Sequence, residues 1–213
     1  MIPDAGEVYL YFFDRSKEYS TKDVMLICAL DYCKSKKLFS DKGLDSSMIK
    51  INRSSSGKPY FENLPGVGVS VSHSGKHLVC AVANGEIGVD IEERGAYPLE
   101  REEDYKKRLE KIARRFFHPH EADLVTQDPT TRFYEVFTAK ESFVKFTGTG
   151  FDETLGEISV LPEDKSLPSC HKSGESVSWS TKEASFRQEV FDVDYTLCIC
   201  MEKAIDKVVK TVF

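Results

Sequence analysis

Two carboxylates stand two residues apart in Gly88-Val89-Asp90-Ile91-Glu92. In an extended strand such residues share a face, so Asp90 and Glu92 project together while Val89 and Ile91 anchor the opposite side. A bare D-x-E is most often a solvated polar face. Here its flanks are apolar, and charges set at the edge of a core cost free energy unless a cation compensates them. A third carboxylate, Glu141, lies in Phe137-Thr138-Ala139-Lys140-Glu141-Ser142-Phe143-Val144-Lys145, where helical geometry puts Glu141 and Lys145 one turn apart. Alone, that pair reads as a common surface ion pair. Joined to Asp90 and Glu92 it completes an oxygen-only set with open positions for water and phosphate, suited to Mg²⁺ rather than Zn²⁺. Lys140 and Lys145 then become phosphate clamps.

Two further stretches bear on ligands. Gly57-Lys58-Pro59 allows close backbone approach, a cation and a rigid exit, although a plain turn explains it equally well. Ser72-His73-Ser74-Gly75 ends a strand with hydroxyls and an imidazole, and can hold an anion through backbone amides and His73. A nucleophilic role for Ser72 or Ser74 ranks lower, because no G-x-S-x-G surrounds them. His118-Pro119-His120-Glu121 lacks metal-ligand spacing and reads as a helix start. His77 and His171 have no partner visible in sequence.

The elements that must position these residues follow from pattern. Glu7–Phe13 reads as a strand, and a helix capped by Ser20 or Thr21 runs to the lysines at 34–37. Met48–Ile51 reads as a short strand, Ser54–Pro59 as a turn, and Val67–Ser72 as a half-buried strand. Leu78–Ala83 and Ile87–Ile91 flank Asn84-Gly85 and suggest a hairpin. Helices are expected over Leu99–Phe117, from Pro119 through Val125, and over Thr130–Thr147, the last stopped by Gly148. Short strands at Ile158–Leu161, Val177–Ser180, Val190–Asp194 and Thr196–Met201 complete an α+β chain. Strand, helix and strands recur in each half, so a structural pseudo-repeat is open, with a soft boundary near Asn84.

The 213 residues are 40% hydrophobic, enough for a buried core, and 29 basic against 35 acidic side chains leave a charge of −6. Whole-chain charge thus offers nucleic acid or anionic membrane no attraction, and any polyanion must meet a local cluster. The longest apolar run, Val24–Leu30, is far short of a bilayer span, and no export signal precedes it. Six scattered cysteines without a C-x-x-C pair read as reduced thiols, and a cytoplasmic location is expected.

Taken in order, these motifs resemble the 4′-phosphopantetheinyl transferases, in particular the surfactin-type class built as one pseudodimeric chain. The resemblance rests on the S-G-K-P turn, the S-x-S-H-S-G strand end, G-V-D-I-E, Arg114-Arg115-Phe116-Phe117 and F-T-x-K-E-S-x-x-K, and covers roughly residues 54 to 150. It implies a pseudo-two-fold pair of similar α/β subdomains, residues 1–84 and 85–213, with the active site at their interface. By this resemblance Asp90, Glu92 and Glu141 are the Mg²⁺ ligands, and Lys145 lies near the pyrophosphate of coenzyme A. Gly57, Lys58 and Pro59 lie beside its adenine end, and Ser72 and His73 against its phosphates. The basic N-terminal residues that usually contact the 3′-phosphate are reduced here to Arg15, Lys17 and Lys22, with Ser20 at the usual arginine position; His73, Lys17 or Lys22 could take that role. Phe137 stands where Trp is frequent.

The implied reaction is Mg²⁺-dependent transfer of 4′-phosphopantetheine from coenzyme A to a serine of an acyl or peptidyl carrier protein, releasing 3′,5′-ADP. Lys145 stabilises charge, and either Glu141 or a water on the metal is the base. A monomer is expected. Lys106, Lys107, Arg108, Lys111, Arg114 and Arg115 form either a carrier-docking patch or a solvated face balanced by Glu100, Glu102, Glu103 and Glu110. Two other readings stand beside this one: a non-catalytic coenzyme A or nucleotide-binding module, and a Mg²⁺-dependent phosphohydrolase.

Overall fold

A computed structural model describes residues 6–38, 45–95, 101–150 and 156–213. Strand β1 (Glu7–Asp14) is followed by α1 (Thr21–Ser35), whose N-cap is Ser20, with its hydroxyl accepting from Asp23 N. A small hairpin, β2 (Ile51–Arg53) and β3 (Pro59–Phe61), precedes β4 (Val67–Ser74) and β5 (His77–Asn84). Next come β6 (Ile87–Glu93), α2 (Glu102–Phe116), α3 (Pro119–Gln127) and α4 (Pro129–Thr147). The chain ends with β7 (Ser176–Ser180), β8 (Ser185–Phe191), β9 (Tyr195–Met201) and β10 (Lys207–Val212). The class is the expected α+β.

Two four-stranded sheets carry the fold, ordered β10-β1-β5-β4 and β6-β9-β8-β7. In the first, β1 alternates Tyr9, Tyr11 and Phe13 toward α1 with Val8, Leu10 and Phe12 toward the second sheet. Both faces of β1 are therefore buried, which explains why its sequence is an unbroken apolar run rather than an alternation. Val8, Leu10, Phe12, Val79 and Ala81 meet Ile87, Val89, Ile91, Leu197 and Ile199 in a core shared by the two sheets. The other face of the second sheet packs Phe186, Cys198 and Cys200 against α2, α3 and α4.

Several expectations are corrected. Leu78–Ala83 and Ile87–Ile91 do not form a hairpin: β5 pairs with β1 and β4, while β6 pairs antiparallel with β9. At Asn84-Gly85 the chain changes sheets, and Gly85 N donates to Gly66 O at 2.7 Å instead of closing a β5–β6 ladder. Ser46–Met48 is a 3₁₀ turn capped by Asp45, so the strand begins only at Ile51. Ile158–Leu161 is not a strand, since Val160 N donates to Glu121 Oε1 and Val160 O accepts from Trp179 Nε1, so side chains replace a ladder. The strand expected at Val190–Asp194 ends at Phe191, because Asp192 and Val193 take positive φ in the turn to β9. Strand β10, unforeseen, pairs parallel with β1. The helix expected from Leu99 begins at Glu102; Leu99 and Glu100 lie outside the described residues.

Helix α4 crosses β6 at Gly88, where a Cβ would overlap the Ser142 carbonyl oxygen and lie 2.5 Å from Phe146 N. The missing side chain lets α4 approach β6 and brings Glu141 over Asp90 and Glu92. Gly88→Ala is therefore expected to cost about 3 kcal/mol or more in urea denaturation. Gly95→Ala, with φ +73 but open space, should cost about 1 kcal/mol.

Candidate active site

Strand β4 is an edge of the first sheet and β6 an edge of the second. They meet through serine hydroxyls. Ser70 Oγ accepts from Val89 N at 3.0 Å, Ser72 Oγ from Ile91 N at 3.4 Å, and Ser74 Oγ from Glu93 N at 3.0 Å. Ser72 Oγ also donates to Asp90 Oδ1 at 2.7 Å, and Ser74 Oγ to Glu92 Oε2 at 2.9 Å. From α4, Lys145 Nζ donates to Ser72 Oγ at 2.9 Å and to Asp90 Oδ1 at 2.6 Å. With two acceptances and one donation, the Ser72 hydroxyl is saturated.

Asp90, Glu92, Glu141 and Lys145 line one cavity of about 260 Å³ with Val71, Ser72, His73 and Phe137. Burial pushes the Asp90 and Glu141 carboxyls above the usual carboxylate range, partly offset by Lys145, and for Glu141 the Asp90 charge adds to the effect. Glu92 is pushed up to about 7, by burial first and then by Asp90. Asp90 Oδ2 is buried and has no hydrogen-bond partner among the described residues. A second cavity of about 260 Å³, lined by Gly57, Lys58, Pro59, Val69–Val71, Val144 and Gly148, adjoins the first at Val71 and Lys145. Gly57 has φ +86 in the β2–β3 turn, and Lys58 reaches Glu86 and, at 2.6 Å, Phe146 O. The exposed His73 also borders a third cavity with Arg15, Tyr19 and Thr21.

Among the described residues, no three His, Cys, Asp or Glu side chains converge closely enough to hold a metal as they stand. Lys145 occupies Asp90 Oδ1 instead. The donor chemistry nevertheless fits a hard divalent cation: three carboxylates whose affinities for protons are raised chiefly by burial, one of them with an orphaned buried oxygen, and among the described lining residues neither thiol nor coordinating imidazole pair.

Lys140 is corrected. One position along a helix turns a side chain by about 100°, so Lys140 points away from the cavity that Glu141 lines. Its ammonium is fully buried on Glu121 at 2.7 Å and Ile158 O at 2.5 Å, leaving no access to phosphate. Glu121 also accepts from His118 N at 2.9 Å, and His118 caps α3 as its sequence suggested. Sequence reasoning did not pair Ser74 with Glu92; the period of two through Ser70, Ser72 and Ser74 is the signal that could have done so. His77, without a visible partner in sequence, pairs with Asp192 at 3.0 Å. In the basic stretch of α2, Lys106 pairs with Glu102, and Arg108 and Arg115 lie over Tyr105 and Phe116.

Two outcomes follow from these charges. Glu121→Ala strands the buried Lys140 ammonium and should cost about 3–5 kcal/mol, whereas Glu121→Leu with Lys140→Met should recover only the part owed to the stranded charge in the same urea titration, because the His118 and Val160 amides still lack their acceptor. A carboxyl raised on folding stabilises the fold below its unfolded value and loses that contribution as pH climbs through its folded value, here from 4.5 to about 7 for Glu92. In chelator, Glu92→Gln should therefore exceed the parent by roughly 2 kcal/mol at pH 8 and match it near pH 4. Equal unfolding curves at pH 8 would reject the assignment.

Residues 86–200, more than half of the chain, match the 4′-phosphopantetheinyl transferase superfamily. The chain is 37% identical over 126 residues to a 4′-phosphopantetheinyl transferase of Bacillus subtilis, covering 57% of this chain and 51% of that protein. It is 36% identical over 121 residues to the 4′-phosphopantetheinyl transferase Sfp of Bacillus subtilis strain 168, covering 55% and 49%. A longer match, 29% identical over 183 residues, covers 79% of this chain and 62% of the L-aminoadipate-semialdehyde dehydrogenase-phosphopantetheinyl transferase of Saccharomyces cerevisiae. The chain thus spans about half the length of the two Bacillus relatives. By the extent of the first match, the chain belongs to the 4′-phosphopantetheinyl transferase superfamily.

Proposed function

We propose that this protein transfers the 4′-phosphopantetheine of coenzyme A to a serine hydroxyl of an acyl or peptidyl carrier protein, in a Mg²⁺-dependent reaction that releases 3′,5′-ADP. The observation that carries the reading is the carboxylate cavity adjoining the Gly57–Pro59 cavity through Lys145. Family membership and relatives bearing the transferase name support it. The same reading takes residues 1–84 and 85–213 as two halves related by a pseudo-two-fold axis, each with a four-stranded sheet, although β10 returns to the first. We also infer a cytoplasmic monomer. Six buried free thiols accord with a reducing compartment, and among the described residues no helix is long and apolar enough to cross a membrane.

In this mechanism coenzyme A lies along the two cavities, with Gly57, Lys58 and Pro59 toward its adenine end and Ser72 and His73 toward its phosphates. Asp90, Glu92 and Glu141 would hold Mg²⁺, which when bound supplies neutralisation of pyrophosphate charge. The carrier serine oxygen forms a bond to the β-phosphorus as the bond from that phosphorus to the bridging oxygen breaks, and 3′,5′-ADP departs. Glu141, which lines the carboxylate cavity, is the residue of this chain suited by position to take the serine proton. Lys145, at the seam of the cavities, is placed to donate to an anion that spans both, so positioning and electrostatics supply the rate. Docking of an acidic carrier falls to the basic side chains of α2, since the chain itself carries −6.

Intact-mass spectrometry of an apo carrier with coenzyme A, Mg²⁺ and this protein should show one phosphopantetheine gained on the serine, lost with chelator. Asp90→Ala should remove turnover by a factor of about 10³ or more while the protein stays folded by circular dichroism. Coenzyme A cleavage without a carrier would replace the proposal by the phosphohydrolase reading. Binding of coenzyme A with no gain on several carriers would leave the non-catalytic module.

A further inference from the structure

The three serines of β4 that face β6 do not act alike. All three accept a backbone N–H of β6, from Val89, Ile91 and Glu93 in turn. Ser72 and Ser74 spend their own proton on a carboxylate, Asp90 and Glu92, whereas Ser70 has no acidic residue opposite. Ser72 also receives Lys145. Among the described residues Ser74 has one carboxylate partner and no cation, so its effect on Glu92 can be isolated.

We propose that Ser74 is a positioning residue: its hydroxyl, fixed by the Glu93 amide, holds the Glu92 side chain in the carboxylate cavity so that Glu92 can ligate a divalent cation. The inference rests on the reading that Asp90, Glu92 and Glu141 bind that cation. A glutamate has three side-chain torsions, and the neighbouring Asp90 charge repels Glu92. Without a donor on the cavity side, the carboxylate gains by turning outward to water. A hydroxyl already anchored by a backbone bond supplies that donor at little further entropic cost. Because Ser74 belongs to the first sheet and Glu92 to the second, the ligand is set only when the two edges meet.

The test compares Ser74→Ala with Ser70→Ala, which removes one edge bond and touches no carboxylate. Mn²⁺ is the probe, titrated by electron paramagnetic resonance with neither coenzyme A nor carrier present, and urea denaturation is followed in parallel. Both variants should lose stability to a similar, modest degree. Only Ser74→Ala should weaken Mn²⁺ binding, by about tenfold or more, and Ser74→Thr, which keeps the hydroxyl, should restore it. Parent-like Mn²⁺ binding in Ser74→Ala, or equal weakening in Ser70→Ala, overturns the proposal while leaving the cation site in place. If the parent protein binds no Mn²⁺ that Asp90→Ala abolishes, the cation reading itself fails and takes the proposal with it.

Discussion

The contact on which the site depends is the meeting of two sheet edges through hydroxyls. Strands β4 and β6 lie side by side, yet the bonds from the β6 amides run to Ser70, Ser72 and Ser74 rather than to β4 carbonyls. The Val89 and Ile91 amides are buried, and an edge amide cut off from water needs a partner within the protein. A serine side chain meets that need while standing the two backbones further apart than a ladder would. The same hydroxyl keeps its proton free to donate sideways, which a backbone carbonyl cannot do. A regular ladder would satisfy the amides and leave Asp90 and Glu92 without these donors.

Those donors matter because the cavity holds charge at the margin of a core. Val89 and Ile91 are buried between the sheets, so the alternate residues Asp90 and Glu92 are driven to the face beneath α4. Gly88 lets that helix come close, and its approach strips water from the carboxylates. The raised proton affinities of Asp90, Glu92 and Glu141 are the record of that desolvation. The arrangement lowers stability locally, and the fold bears it through cores on both faces of each sheet.

What could be read in the sequence was local. The Ser20 cap, the Gly148 stop and the pairing of Asp90 with Glu92 on one face each follow from a spacing of a few residues. What escaped depended on partners distant along the chain. Asn84-Gly85 is a sound turn signal, but whether the chain folds back or changes sheets is decided by β9, more than a hundred residues on. Val160 has strand-like neighbours, yet Glu121 and Trp179 claim its backbone. Lys140 and Glu141 are adjacent in sequence, and only the packing of α4 between Glu121 on one side and β6 on the other assigns one to structure and the other to the cavity. Strand β10 carries little pattern because none of its residues is buried and its partly covered positions, Val208, Val209 and Thr211, do not keep a period of two.

On the proposed cation reading, the charge balance of the cavity divides the work between Lys145 and the ion. Fully ionised, three carboxylates face one ammonium across about 260 Å³. The excess of two negative charges is what one divalent cation cancels, while a second lysine in place of the ion would still leave one charge uncompensated. Lys145 has a point charge on a flexible stem, so it can offset Asp90 in the free protein and turn toward an anion in the adjoining cavity without loss of its own charge. An arginine would bind a carboxylate with a rigid two-pronged grip and give up that mobility. Lys145 holds Asp90 Oδ1, and the buried Oδ2 has no hydrogen-bond partner among the described residues, so on that reading the lysine shields one oxygen of the pair and the other would meet the ion. The residue that tempers the carboxylates thus leaves them able to ligate.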